Sequence, residues 1–438
     1  MARLIITGQR RLEGTIRING AKNACLPIMA ASLLTDGPNI LSDVPQLTDV
    51  HVLAAILRGL GMSVQRLPNG RLHLETIRPD QYACPQDLAI AMRASICVLG
   101  PLLARRGEAL VPMPGGCVLG DRPIDLHLKG LQALGARIEK SNGLIHARAD
   151  RLKGARIYLG GPRGSTCLGT ANVMCAAALA EGITTIEHAA CEPEIKDLAL
   201  YLNGCGAHIE GAGTSTVVIE GVERLYGCMH CVMPDRIEAG TFAAAAAITG
   251  GDVVLRNVRP DHMAAMLDVM QQMGVKFEEG DDRLRVWGDG RLKAVDVNAL
   301  PYPGLPTDMQ PQLMALLIAA DGVSMVSDMV YPERFDHVGE LSRLGADITR
   351  HTYQAIIRGP GRLTGAPVKA GDLRGGAGLI LAGLAAEGAT EVENIQHVDR
   401  GYELIEERLA ALGADIARVG STPLAEGQTE LFPRRAAG

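Results

Sequence analysis

The stretch PGGCVLGDRPIDLHL, residues 114–128, gathers several reactive and charged side chains on one glycine-opened loop. Two glycines precede the thiol of Cys117. The guanidinium of Arg122, the rigid ring of Pro123, the carboxylate of Asp125 and the imidazole of His127 follow. A thiol on a turn beside a positive charge can change protonation state near neutral pH, which suits it to proton transfer. A second cluster, CMHC at 228–231, is a CxxC without a second pair. That is a weak metal signal, and the expected reading is ordinary strand residues.

The elements that must position this loop repeat along the chain. Six helix ends look alike: LRGLGMSV, LQALGARIE, LNGCGAHIE, MQQMGVKFE, LSRLGADIT and LAALGADIA. Each has apolar residues at helical spacing, then a glycine (61, 135, 206, 274, 345 and 413), then an apolar–polar alternation. The pattern predicts a helix, a glycine C-cap and a strand. Before each lies an Ala-rich, nearly all-apolar run ending in Gly, as in LPIMAASLLTDG (26–37), SICVLGPLLARRG (95–107) and QLMALLIAADG (312–322). Helices apolar on every side are expected to be buried. Six units of about 70 residues predict two domains of three units, with helices at the centre and sheets outside. The loop 114–128 is the strand-to-outer-helix turn of the second unit. Its equivalents are VPQLTDVH, ACEPEIKD, VRPDHMAA, VYPERFDH and IQHVDRGY, and such divergent turns are where a repeat architecture carries function.

Composition bounds the class. The 438 residues are 47% hydrophobic, 21% charged and only 3% aromatic, which predicts a soluble globular protein with an aliphatic core. A net charge of −6 argues against a nucleic-acid or membrane-surface binder. No apolar run is long enough to span a membrane and no signal sequence opens the chain, so a cytoplasmic protein with reduced thiols is expected.

GAKNACLPIMAASLL, MRASICVLGPLLARRG, PGGCVLGDRPIDLHLKGLQALGA, PDRIEAGTF, LPTDMQPQ, ERFDHVGELSRLGA, GDLRGGAGLILAG and HVDRGYELIEERL resemble the enolpyruvyl transferases, from Leu4 to about Arg418. The likeness is strongest to the branch whose acceptor is UDP-N-acetylglucosamine, at the first committed step of peptidoglycan synthesis. It implies an inside-out α/β barrel of two domains, one of residues 22–233 and one of 1–21 plus 234–420, with 421–438 as a loosely attached tail. Substrates would bind in the cleft, with the 112–123 loop as lid. The implied reaction adds a hydroxyl to C2 of phosphoenolpyruvate, then expels phosphate, with no metal or redox cofactor.

The resemblance assigns residues. Lys22, Arg122 and Arg400 would hold phosphoenolpyruvate; Arg93, Arg334 and Arg374 would complete the anionic pocket, arginine's planar fork suiting carboxylate and phosphate. Cys117 would act in proton transfer or product release and be the residue that fosfomycin alkylates. Asp308 would act as base toward the acceptor hydroxyl or orient it, although an N-cap before MQPQLMALL is an equally physical use of it. Asp372 would be a further carboxylate of the site beside Arg374. Asn23, Arg122, Pro123, Asp125, Leu126, His127, Thr166, Asp308 and Val330 would contact the nucleotide, His127 as wall rather than catalyst.

Several positions depart from the family pattern. Cys97 stands where tryptophan is usual, Leu168 where a diphosphate-binding glycine is, and Asp121 beside Arg122 where a neutral residue is. These changes gather on the diphosphate side, so a transferase acting on another uridine nucleotide such as UMP, in nucleoside-antibiotic synthesis, is the alternative. A non-catalytic copy would have lost Cys117, Asp308 or the arginines, and all are present.

Overall fold

The computed structural model describes residues 2–114, 124–288 and 291–420. The six glycines behind the outer helices all have left-handed backbone, φ between +85° and +101°, a region that favours residues without a Cβ. In five of the six the next amide also reaches back to a carbonyl five residues earlier, as in Ala136 N to Leu131 O at 3.1 Å and Ala346 N to Leu341 O at 3.3 Å. That is the Schellman closure, and it turns each helix sharply into the strand that follows.

The chain divides into two compact units, one of residues 20–114 and 124–233, the other of 2–19 and 234–420. In the second, helices Arg236–Ile248, Gln310–Ile318 and Leu373–Ala385 pack on one another at the centre. All thirteen residues of Arg236–Ile248 are buried. Three sheets cover them. The N-terminal strand Arg3–Thr7 lies antiparallel between Ala389–Glu393 and Asp415–Val419, completing the last repeat with the first residues of the chain. Strand Glu13–Arg17 runs parallel to Asp252–Arg256 in another sheet. In the first unit Lys22–Ala31, Leu99–Arg106 and Cys167–Ala177 play the central part, again behind three sheets and a two-stranded ribbon. Alternation along the strands sets the inner face: Thr216–Glu220 buries Val217 and Ile219 and exposes the residues between. The architecture is therefore α/β with helices inside and sheets outside, and among the described residues no sheet closes into a barrel.

Two apolar runs fold differently from the continuous helices expected. Residues 93–98 form a 3₁₀ turn before helix Leu99–Arg106, because Pro101 has no N–H to continue an α-helical ladder across the junction. Helix Gln310–Ile318 stops before Gly322; the Ile318 carbonyl is taken by Gly361 N at 2.8 Å, and strand Ala320–Asp328 begins. No helix among the described residues is long and apolar enough to cross a membrane.

Candidate active site

In the unit of 2–19 and 234–420, three loops bring their charges to Asp308. Asp308 lies in the short turn Thr307–Met309. Arg334 Nη1 donates to its Oδ1 at 2.8 Å, and Arg374 Nη2 donates to its Oδ2 at 3.2 Å. The N-cap expected at Asp308 is not observed. Helix Gln310–Ile318 carries Pro311 in its first turn, which removes an N–H to be capped, and two guanidinia offer stronger charge-assisted bonds. Asp372 does cap, but a different helix, Leu373–Ala385: its Oδ1 accepts from Arg374 N and Gly375 N at 2.9 and 3.2 Å. That bond fixes the start of the helix from which Arg374 projects.

Arg334 and Arg374 are 3% and 1% exposed. Burial pulls the pKa of Arg334 down, but the charges of Asp308 and Asp372 outweigh it and the guanidinium ends above its ordinary value. Arg374 is raised likewise, burial being offset by Tyr402 and Asp308. Each keeps a buried Nε–H that no described residue accepts. Buried donors left open are costly unless an acceptor arrives, which suits an anionic ligand. Arg400 ends the turn Ile395–Arg400. Burial first, then the charge of Arg400, lowers the pKa of His397, and Asp372 acts on the same ring with opposite sign. Two buried guanidinia thus meet two carboxylates, with the charge of Arg400 felt at neighbouring His397.

Two partners of this cluster escape sequence reasoning. Asp328 is fully buried; its Oδ1 accepts from Val330 N and Tyr331 N at 2.9 and 2.7 Å, and its Oδ2 accepts from Thr307 Oγ1 at 2.6 Å. It shapes the loop that presents Val330 and Arg334, and it ties that loop to the Asp308 turn. Tyr402 lies under Arg374, ring centroid to guanidinium 5.3 Å, with its hydroxyl bonded to Thr241 at 2.8 Å and Gln312 at 3.1 Å. Its position directly after Arg400 and Gly401 was the available signal.

In the unit of 20–233, Lys22 opens helix Lys22–Ala31, is 8% exposed, and places Nζ 3.3 Å from Asp49 Oδ2. Asn23 follows, half-buried. Asp49 lies in the first turn of helix Thr48–Gly59, within the segment VPQLTDVH that the repeat pattern marks. Helix Asp125–Ala133 begins with Asp125 exposed, Leu126 half-buried and His127 buried. Asn172 Oδ1 accepts from Gly100 N at 2.8 Å, so its Nδ2 faces Ile96 O at 3.0 Å and His127 Nδ1 at 2.9 Å. His127 Nδ1 is then an acceptor and the ring carries its proton on Nε2. Burial, with the charge of Arg93 as a lesser cause, pushes this imidazole down to about 3, so it is neutral. The side chain is committed to the core, which leaves the backbone of 125–127 to meet a ligand. Beside it, Gly161 and Gly164 exchange backbone bonds at 2.9 and 3.0 Å, and a Cβ on Gly161 would lie 3.1 Å from Leu126.

Thr166 caps helix Cys167–Ala177, accepting from Gly169 N at 3.2 Å. Leu168 occupies that helix's first turn, a conformation any L-residue adopts, so the missing glycine is sterically tolerated. Cys97 is a core residue, 3% exposed, its thiol pushed by burial up to about 12. Cys117, Asp121, Arg122 and Pro123, the rest of the 115–123 segment and the tail 421–438 lie outside the described residues.

A repeated helix-centred module in two units, with cationic turns drawn around Asp308, defines the class of the protein. A family model described as EPSP synthase (3-phosphoshikimate 1-carboxyvinyltransferase) matches residues 6–409, and the chain belongs to that family of enolpyruvyl transferases. It is 52% identical over 407 residues to UDP-N-acetylglucosamine 1-carboxyvinyltransferase 1 of Caldanaerobacter subterraneus subsp. tengcongensis, covering 93% of this chain and 97% of that protein. To UDP-N-acetylglucosamine 1-carboxyvinyltransferase 2 of Carboxydothermus hydrogenoformans it is 50% identical over 421 residues, covering 96% and 100%. Among solved structures, the enolpyruvyl transferase NikO from Streptomyces tendae superposes with a TM-score of 0.86 at 26% identity, covering 96% of this chain and 99% of that one.

Proposed function

We propose that this chain transfers the enolpyruvyl group of phosphoenolpyruvate to a hydroxyl of UDP-N-acetylglucosamine, releasing phosphate, as a cytoplasmic step of peptidoglycan precursor synthesis. The observation that carries this reading is identity of 52% and 50%, over nearly the full length, to proteins named for that reaction. Identity to the enolpyruvyl transferase NikO is half as great, 26%; the alternative acceptor is UMP.

The acceptor hydroxyl adds to C2 of phosphoenolpyruvate while a proton is delivered to C3, giving a tetrahedral phospho-ketal. Loss of a proton from C3 and cleavage of the C2–O bond to phosphate then regenerate the enol ether. Asp308 takes the acceptor's proton or orients its hydroxyl. Its side chain keeps 25% exposure while both guanidinia hold its oxygens in place. Arg334 and Arg374 meet the negative charge of the substrates through their open Nε–H donors, with Arg93 as a further cation. Lys22, Arg122 and Arg400 bind phosphoenolpyruvate, whose carboxylate and phosphate need several cations at once. Asp372 acts by placing Arg374. Cys117 carries the proton to or from C3 or aids product release, and is the site of alkylation by fosfomycin. On the nucleotide side Asn23 contacts the sugar, and Arg122, Pro123 and the helix start at Asp125, Leu126 and His127 hold the uridine. Thr166 contributes through the helix N-terminus it caps, where free N–H groups favour a diphosphate, and Val330 lies by the sugar.

Phosphate release from phosphoenolpyruvate, measured with UDP-N-acetylglucosamine and with UMP as separate acceptors, tests the reading. Turnover with the sugar nucleotide is expected. Turnover with UMP alone would replace it by the nucleoside reading.

A further inference from the structure

The CMHC segment is not used by the transferase reaction, and the structure sends its two thiols apart. Cys231 is exposed, with Sγ 3.7 Å from Asp43 Oδ2. Cys228 turns instead to Cys205, with the two Sγ atoms 3.3 Å apart. Among the described residues no group of three His, Cys, Asp or Glu side chains is placed to hold a metal ion. Cys205 directly follows helix Pro193–Gly204 and is 2% exposed, whereas Cys228 is half-buried. Their spacing is set by the frame around them. Tyr226 N donates to Cys205 O at 2.8 Å, Cys228 N donates to Asn39 Oδ1 at 3.3 Å, and Tyr201 Oη donates to the same Asn39 oxygen at 2.7 Å. Two sulfurs already in contact need to close by only roughly 1.3 Å to bond.

We propose that Cys205 and Cys228 form a peroxide-sensitive thiol pair, a modification site that closes reversibly to a disulfide. The Cys228 thiolate attacks one oxygen of hydrogen peroxide, the O–O bond breaks, and the departing hydroxide leaves as water after taking a proton. Sulfur is thereby oxidised to the sulfenic acid. The Cys205 sulfur then attacks that sulfur, the S–O bond breaks, and the hydroxyl leaves as a second water with the Cys205 proton. Two thiols and one peroxide give one disulfide and two waters.

The asymmetry of the pair sets the order of events. The hydrogen bond from Cys205 holds the Cys228 thiol below its ordinary pKa, against the opposing effect of burial, and nearby His230 adds to the lowering. His230 is itself fixed by Asp197 at 3.0 Å and by an edge-on contact with Tyr201. The same bond and burial raise Cys205. A partly exposed, acidified thiol with a second thiol in contact is the arrangement of an oxidant-sensing cysteine and its resolving partner. Cys25 and Cys84, buried without such a partner, are pushed up to about 12 and stay inert.

The test uses the full-length protein treated with hydrogen peroxide, blocked with iodoacetamide and digested without reduction. Peptide mass spectrometry should find Cys205 cross-linked to Cys228 as the main product of either residue, lost on adding dithiothreitol. Thermal unfolding of the oxidised protein should move up by several degrees, since the bond restricts the unfolded chain between 205 and 228. In Cys205→Ser, Cys228 should stop at the sulfenic acid and be captured several-fold more by dimedone than in the unsubstituted protein. Recovery of Cys228 as free thiol, as sulfinate, or paired with Cys231 or Cys191 overturns the proposal. Equal dimedone capture with and without Cys205 does the same.

Discussion

Replacing Asn172 by leucine tests how the nucleotide-side helix is held. Asn172 is 1% exposed, and its amide reaches Gly100 N, Ile96 O and His127 Nδ1 at 2.8, 3.0 and 2.9 Å. Leucine has the same branching and number of side-chain heavy atoms but is bulkier, so the substitution leaves no cavity. Ile96 O keeps the amide of Leu99 as donor. Gly100 N–H and His127 Nδ1 lose the amide that satisfied them. Stranding a buried polar group costs about 1–3 kcal/mol, so the pair costs about 4 kcal/mol. For a unit of this size that lowers the unfolding midpoint by about 12 °C. The chain's single tryptophan, Trp287, lies in the other unit, so its fluorescence and far-UV circular dichroism separate the two. The dichroism transition should gain an early phase while the Trp287 transition holds its place. KM for the sugar nucleotide should rise with kcat less affected, because the helix start at 125–127 loses its clamp. A loss below about 1 kcal/mol in the dichroism-detected phase would refute the clamp.

Asp308→Asn should lower kcat by roughly 10²–10⁴-fold, the usual worth of a positioned acid or base. Its unfolding midpoint should stay close to that of the unsubstituted enzyme, because Arg334 retains Thr307 and Asp372; unchanged kcat would remove Asp308 from the chemistry. Cys117→Ala should abolish inactivation by fosfomycin, followed as residual phosphate release after incubation, and undiminished inactivation would move the alkylated residue elsewhere. Acid should weaken the 20–233 unit first. His127 titrates near 6.5 when unfolded and near 3 when folded, so its contribution is whole above pH 6.5, is lost as pH falls toward 3, and has dropped by about 1.4 kcal/mol at pH 5.5. In the other unit His337, pushed down to about 4 by burial, acts in the same sense. Glu238, lifted by burial to about 7, acts in the opposite one, its contribution being present below pH 4.5 and lost as pH rises through 7. Between pH 7.5 and 5.5 the Trp287 transition should therefore move less than the dichroism transition; equal losses would refute the assignment.

The periodic part of the fold was readable because local rules write it. Glycine after a helix must take positive φ, and six such glycines at near-equal spacing mark six helix-to-strand corners. Ala-rich runs without a polar face can only be central helices. The limits of that reading are local too: Pro101 and the capture of Ile318 O by Gly361 N break helices that apolar runs alone would continue.

The charged turns were legible as segments, and motif resemblance named most of their residues. What the sequence could not assign is how each side chain is spent. Asp308 and Asp372 both stand before helices in much the same local setting. Only the tertiary approach of Arg334 and Arg374 makes one an ion-pair centre and leaves the other to cap. His127 sits in a conspicuous motif, yet an amide 45 residues away takes its ring nitrogen. Cys205 lacks a sequence signature because its partner Cys228 lies 23 residues on, and Asp328, although it bonds the amides of Val330 and Tyr331 locally, reaches the site through Thr307, 21 residues back. The chain by itself determined the corners, the buried helices and the family, since these depend on backbone conformation and on hydrophobicity at short range. The pairing of charges, the tautomer of His127 and the contact of two thiols were decided by packing, because hydrogen bonds and ion pairs act over a few ångströms between residues far apart in sequence.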